Sequence, residues 1–151
     1  MMPVLEQRGD YWISTDTALL DFFVIHRFIA EESYWGKGRT AEIMQRAIDH
    51  SALCFGLYLR TTTGCNQIGF ARVISDLTTF AYLSDVFVLS EHRGKGLGKW
   101  LITTICDHPD LRDIKRIALI TRTPEFYEAL SFVINDPLDI RKFMLRMKPP
   151  N

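Results

Sequence analysis

No charge of one sign dominates this chain. Lysine and arginine number 18, aspartate and glutamate 18, and the formal net charge is zero. Nothing in that balance argues for a nucleic-acid partner or an acidic membrane surface. Cysteine is scarce: Cys54, Cys65 and Cys106 are odd in number and scattered. They make neither a disulfide framework nor a metal-ligand spacing, so no metal is expected. Cys54 and Cys106 sit in apolar surroundings and read as small core residues, not activated nucleophiles, whereas Cys65 falls in a turn. Long hydrophobic runs are missing, because charges or glycine break every one before bilayer length, and no membrane span is expected. Met1 to Asp10 lacks the charged-then-apolar order of a secretory signal. Repeats, linkers and low-complexity stretches are absent too. These absences point to a reducing cytoplasm and to one domain over residues 1–151. Hydrophobic residues make up 47% of the chain, enough for a full core in one such domain.

What the chain does have is concentrated in residues 85–101. Val86 to Leu89 is an apolar run that reads as a buried strand. Arg93 to Gly98 follows as a glycine-rich loop. Leu97, Trp100, Leu101, Thr104 and Ile105 then fall on one helical face. Strand, glycine loop and helix in that order make an anion cradle. Glycines let backbone N–H groups turn toward one point, and the helix N-terminus adds partial positive charge. Arg93 and Lys95 add full charges, so the expected ligand carries phosphate. Spacing sorts the candidates. A Walker loop needs Ser or Thr after Gly-Lys, and here Trp100 follows Gly98 and Lys99. A dinucleotide loop needs G-x-G-x-x-G near the start of a βαβ unit, and here Gly94, Gly96 and Gly98 lie late in the chain. What remains is Arg, two residues, Gly, one residue, Gly, supplied by Arg93, Gly96 and Gly98 with Glu91 just upstream.

The rest of the chain reads as alternating elements. Tyr11 to Ser14 is a short strand. Leu19 to Ile29 is a helix with Leu19, Phe23 and either His26 or Ile29 inward. Ser33 to Arg39 is a loop, with Gly36 to Gly38 flexible. Thr40 caps a helix that turns Ile43, Met44, Ala47 and Ile48 to one face. Ala52–Leu59, Gln67–Ile74 and Thr78–Leu89 form a three-strand meander. The glycine loop and helix follow, ending before His108 and Pro109. Lys115 to Ile120 is a strand and Pro124 to Leu130 a helix. Phe132–Ile134 and Arg141–Met147 close as strands. The order is β-α-α-β-β-β-α-β-α-β-β.

The loop from Arg93 to Gly98 resembles the acetyl-CoA pyrophosphate loop of the GNAT N-acetyltransferases. Thr121 to Phe132 is similar to the family's segment after its fifth strand, where Tyr127 falls on the family's tyrosine and Ser131 replaces its usual glycine. Ser33-Tyr34-Trp35, Gly38-Arg39 and Ser51 to Tyr58 resemble one bacterial GNAT subgroup, so the likeness spans nearly the whole chain. It implies an α/β (α+β) GNAT acyl-CoA N-acyltransferase fold, a mixed central sheet flanked by helices. It also implies transfer of acetyl from acetyl-CoA, as co-substrate, to a primary amine by direct attack. Arg93, Gly94, Lys95, Gly96, Leu97, Gly98 and Lys99 would hold the pyrophosphate. Val86, Phe87 and Val88 would align the pantetheine arm, with Phe126 and Pro124 packed nearby.

Tyr127 is the candidate acid, because a phenol can protonate a departing thiolate. Its plainer reading is a core or surface tyrosine. Asp85 is the candidate base, expected on the face of Leu83 and Phe87 with a pKa raised by burial. Its plainer reading is a satisfied structural carboxylate. His26 is a rival base or simply a packed histidine. Tyr34 and Trp35 either line the acceptor cleft or pin their loop to the core. Arg72 and Asp76 are further polar candidates. The acceptor is expected to be a small-molecule or peptide amine, and the family resemblance also allows a homodimer. The alternative function is a non-catalytic acyl-CoA-binding or sensing domain, which would keep the glycine loop but need neither Tyr127 nor an acid at position 85.

Overall fold

In the computed structural model, which describes residues 4–134, 138 and 141–149, the chain divides into two compact units. These are Met1–Ile120 and Thr121–Asn151, each taken by itself below.

The first unit is built on a sheet whose strands follow chain order, β1 to β6. β1 (Glu6–Arg8) and β2 (Tyr11–Ser14) form a hairpin whose turn includes Gly9 at φ 58°. β3 (Leu53–Thr61), β4 (Gly64–Ser75) and β5 (Ala81–Val88) are the expected antiparallel meander. β6 (Ile117–Ala118) joins β5 in parallel, which requires a crossover. Helix α3 (Leu97–Asp107) lies on that crossover. α1 (Phe22–Arg27) and α2 (Ala41–Asp49) lie between β2 and β3. Thr40 caps α2 as expected, its Oγ1 accepting from the Ile43 N–H at 3.2 Å.

The first helix differs from expectation. Leu19 ends a separate 3-10 turn, Thr17–Leu19. Asp21 then restarts the chain as a helix by accepting from the Val24 N–H at 3.2 Å. That phase leaves Phe23 71% exposed and turns Ile25 inward. A π turn, Phe28–Glu32, follows and buries Phe28 and Ile29. Ile43 of α2 also points outward. β1 was not expected, because Glu6, Gln7 and Arg8 carry no apolar period; pairing with β2 makes it a strand.

A bulge in the β4–β5 ladder decides how the site is built. The register steps from Phe70↔Phe87 to Arg72↔Ser84, so Asp85 and Val86 stand opposite Ala71 alone. Asp85 takes a φ of 54° there, a left-handed value that Asp tolerates better than most residues. The extra residue exchanges the faces of β5. Leu83 pairs with Val73 and Phe87 with Phe70, and residues 70 and 73 point to opposite sides of β4. Leu83 and Phe87, expected on one face, therefore lie on opposite faces. Phe87 and Phe70 join Ile25, Phe28, Ile29, Met44, Ile48 and Cys54 in a core beneath α1 and α2. Phe28 and Phe87 stack there at 4.1 Å. α3 buries Leu97, Trp100, Leu101, Ile102, Thr104 and Ile105. Phe55, one residue out of phase with Cys54 on β3, meets His108 just past the end of α3.

In the second unit, α4 (Pro124–Glu128) starts with proline in its first turn. It ends where Ser131 N–H donates to Glu128 O and Phe132 N–H donates to Tyr127 O, both at 3.1 Å. Ser131 sits at φ 71°, the place where such a helix ending takes glycine. The strands expected at Phe132–Ile134 and Arg141–Met147 are not formed among the described residues. Val133, Ile134, Phe143, Met144, Leu145 and Met147 are all more than half exposed. An alternating pattern makes a strand only where a neighbour supplies backbone partners and a face to cover, and no described strand of this unit does so. Lys115–Ile120 shortens to β6 for the same reason, pairing only at Ala81 and Tyr82.

Candidate functional site

Past β5 the chain makes a 3-10 turn, Ser90–His92, then the glycine loop. Gly94 and Gly96 have φ of 80° and 75°. A Cβ at either would meet nothing within 4 Å, so the outer side of the loop is open. The Gly96 carbonyl takes the first helical bond, from Trp100 N–H at 3.1 Å, and no side chain caps α3. The N–H groups from Gly94 to Lys99 have no acceptor among the described residues. Orphan donors at the positive end of a helix are a seat for an anion. The Arg93 and Lys95 side chains turn to partners within the protein. Arg93 Nε turns back to donate to Val88 O at 3.1 Å, and Lys95 Nζ donates to the Tyr11 hydroxyl at 3.2 Å. Backbone, not side chain, fills the loop's open side.

Upstream of the loop, β6 pairs with Ala81 and Tyr82 only. The outer edge of β5 over Val86, Phe87 and Val88 faces no strand among the described residues. The bulge in the β4–β5 ladder brings Asp85 to Trp35 and Arg39, in the loop before α2.

Asp85 is 3% exposed. Its Oδ1 accepts from Trp35 Nε1 at 2.8 Å, and its Oδ2 accepts from Arg39 Nη1 at 2.7 Å and Arg72 Nε at 2.6 Å. The expected raised pKa is corrected here. Burial pushes it up, but the hydrogen bonds and charges of Arg72 and then Arg39 outweigh burial and hold it below the ordinary carboxylate range. An ionised carboxylate with both oxygens engaged is a poor proton acceptor, so the geometry favours the satisfied structural carboxylate over the base. Sequence reasoning met Arg39 only within the family likeness and gave it no place in the site, and it left Arg72 a polar candidate without a role. The signal for Arg72 was present: a charged residue among Phe70, Ala71 and Val73 needs a buried partner.

The loop that supplies Trp35 and Arg39 is tied down, against the expectation that Gly36 to Gly38 is flexible. Ser33 Oγ donates to Ile29 O at 2.7 Å and accepts from Gly36 N–H at 3.0 Å. Gly38 N–H donates to Ala30 O at 2.9 Å. A Cβ at Gly36 would lie 2.5 Å from the Ile29 Cγ2, so only glycine lets the loop approach. Trp35 is both pinned and open: it packs at 6.4 Å from Phe28, meets Tyr34 edge-on at 5.0 Å and stays 40% exposed. Tyr82 and Ser84 lie on the same face as Arg72. His26 Nε2 lies 2.7 Å from Arg39 O. A carbonyl only accepts, so Nε2 carries the proton, and the ring stacks on Phe22 at 5.7 Å. His26 is thus a packed histidine that braces Arg39.

Tyr127 belongs to the second unit, where its ring meets Phe126 at 4.9 Å and Phe132 at 5.6 Å, both edge-on. Burial pushes the Cys54 thiol up to about 11 and raises Cys106 as well, so neither offers a thiolate at neutral pH. Asp76 caps its own turn, accepting from the N–H groups of Thr78 and Thr79 at 2.9 and 2.7 Å.

Residues 61–134 match the family model described as an acetyltransferase (GNAT) domain. A Gibberella zeae protein named as an acetyltransferase is 35% identical over 133 residues, 76% of this chain and 73% of that protein. An uncharacterised N-acetyltransferase of Gracilaria tenuistipitata is 36% identical over 93 residues, 60% of this chain and 50% of its own. A crystal structure from Xanthomonas campestris pv. campestris, described as belonging to the GNAT family, is 42% identical. It superposes with a TM-score of 0.82 over 95% of this chain and 96% of its own. A Deinococcus radiodurans structure at 24% identity and a TM-score of 0.67, covering 90% of this chain and 92% of its own, supports the fold alone. Likeness of this depth over nearly the whole length places the protein in the GNAT acetyltransferase family, with a mixed α/β fold and acyl transfer as its chemistry.

Proposed function

We propose that this protein moves an acetyl group from acetyl-CoA to a primary amine by direct attack. The observation that carries the reading is the uncapped start of α3, where the N–H groups from Gly94 to Lys99 lack acceptors among the described residues, behind two left-handed glycines. A diphosphate brings the acceptors those donors need. The edge of β5 over Val86 to Val88, which no described strand pairs, suits an extended amide arm laid alongside as an added strand would lie. Acetyl-CoA supplies the activated acyl thioester, and this chain's residues bind and orient it. Tyr127 takes the role of the acid that hands a proton to the departing sulfur, with Phe126 beside it. Asp85 is already ionised and fully engaged, so loss of the amine proton falls to water. Cys54, protonated and buried, takes no part in a covalent relay.

One observation favours a second reading, a non-catalytic acyl-CoA sensor: the carboxylate best placed by sequence to act as base is locked between two guanidinium groups. Calorimetric titration with acetyl-CoA, followed by thiol release over a panel of amines, separates the two. Saturable binding with amine-dependent thiol release is expected. Binding without release from any amine supports the sensor, and no binding at all removes both.

A further inference from the structure

The cluster around Asp85 does not balance its charges. One carboxylate faces two guanidinium groups, whose side chains are only 18% exposed at Arg39 and 11% at Arg72. Both carboxylate oxygens are engaged, one by Trp35 and the other by the two arginines. The arginines retain donors. Beyond Asp85, Arg39 Nη1 reaches only the Met44 sulfur and Arg72 Nη1 only the Ser51 hydroxyl, both at 3.5 Å. Nη2 of each has no hydrogen-bond acceptor among the described residues. Asp49, at the end of α2, is exposed and takes the Gln45 amide instead. A largely desolvated surplus of positive charge costs free energy unless an anion meets it. Guanidinium forks match carboxylate or phosphate oxygens two at a time. Beside the forks stand exposed rings, Tyr34 and Trp35, and half-buried Tyr82.

We propose that the acceptor is an amine that also carries an anionic group, seated with that anion on Arg39 and Arg72 and its carbon skeleton against Tyr34 and Trp35. The proposal rests on the acetyltransferase reading and adds the substrate class to it. Its geometry follows from the bulge. Asp85, which orients both arginines, is followed in the chain by Val86 to Val88. A residue pair along a strand spans roughly 7 Å, so an amine a few bonds from its anion lies toward that edge. In this role Arg39, Arg72, Tyr34 and Trp35 bind substrate, and Asp85 and His26 are positioning residues.

The test uses amines that differ only in the anion: amino acids against their amides, and phosphoethanolamine against ethanolamine. Each is titrated into the protein with and without coenzyme A, then assayed for thiol release from acetyl-CoA. The anionic member of a pair is expected to bind about tenfold more tightly or better. Arg39→Gln is expected to erase that preference while acetyl-CoA affinity stays as it was. Which pair shows the larger preference names the anion. Equal binding within both pairs, no saturable binding of any anionic probe, or a preference that survives Arg39→Gln overturns the proposal. The wild-type comparison decides the matter even where Arg39→Gln folds poorly. Failure of acetyl-CoA itself to bind tells against the acetyltransferase reading instead, because the anion comparison is also read without cofactor.

Discussion

Asp85 cannot be exchanged for a neutral isostere without leaving two largely desolvated cations facing each other. Asp85→Asn keeps the shape and removes the charge that Arg39 and Arg72 share. Breaking a buried pair from one side costs about 3–5 kcal/mol, and urea denaturation is expected to show a loss of that order. The pH dependence has a definite sign. The native pKa of Asp85 is lowered, so its stabilising contribution is whole above the unfolded value, about 3.9, and fades as pH falls through the native one. The wild type should therefore lose stability in acid more steeply than Asp85→Asn below about pH 4; equal slopes would assign the acid sensitivity elsewhere. Tyr127 makes a different demand. Tyr127→Phe keeps the ring contacts with Phe126 and Phe132 and deletes only the hydroxyl. A general acid contributes about a hundredfold or more, so kcat should fall by that factor while acetyl-CoA affinity holds. Unchanged turnover would remove Tyr127 as the acid.

Elements built from local sequence were the readable ones. The strand, glycine loop and helix of residues 85–101 were legible because each depends on its immediate neighbours: apolar run, glycine spacing, helical stripe. The bulge was not. Burial along β5 alternates without a break from Ala81 to Val88, although the faces exchange at Asp85. A periodic pattern hides a slip when both faces of the sheet are covered. The loop itself can be tested by Gly96→Ala. A methyl group meets no atom there, so its cost is the left-handed φ alone, about 1–2 kcal/mol. That cost reshapes the donors at the start of α3, and acetyl-CoA affinity by calorimetry is expected to drop by at least about tenfold. Retained affinity would show that the cofactor does not use this loop. The end of α4 gives the opposite prediction. Ser131 holds a glycine position at φ 71°, and Ser131→Gly relieves that strain, offset in part by the added freedom of the unfolded chain. A net gain of about 1 kcal/mol, read as a higher urea midpoint, is expected. A loss would mean that the serine side chain contributes more than its backbone strain costs.

For the whole molecule, the order of elements from β2 to α4 and the family were legible, but β1, the unformed closing strands and the partnerships that give the site its charge were not. Asp85 meets Arg72 across 13 positions and Arg39 across 46, and no local pattern announces such a meeting. Alternation at Arg141–Met147 misled for the matching reason, since a strand needs a neighbour that its own residues do not encode. Cofactor binding joins these scales, because any ligand that binds only the folded chain stabilises all of it. At about a hundredfold excess over its dissociation constant, acetyl-CoA should add about 2.7 kcal/mol. For a chain of this size that is roughly 5–11 °C in Tm. Coenzyme A without the acetyl group should give most of the same shift, because in the proposed geometry the donors from Gly94 to Lys99 address the diphosphate and not the acyl end. At the same ligand concentration Gly96→Ala, with its tenfold or greater loss of affinity, should cut both shifts to about half or less by thermal melting, and Asp85→Asn should lower the starting Tm yet keep both. A shift with acetyl-CoA that Gly96→Ala leaves intact would move the cofactor away from the start of α3 and take the proposed acyl-transfer geometry with it.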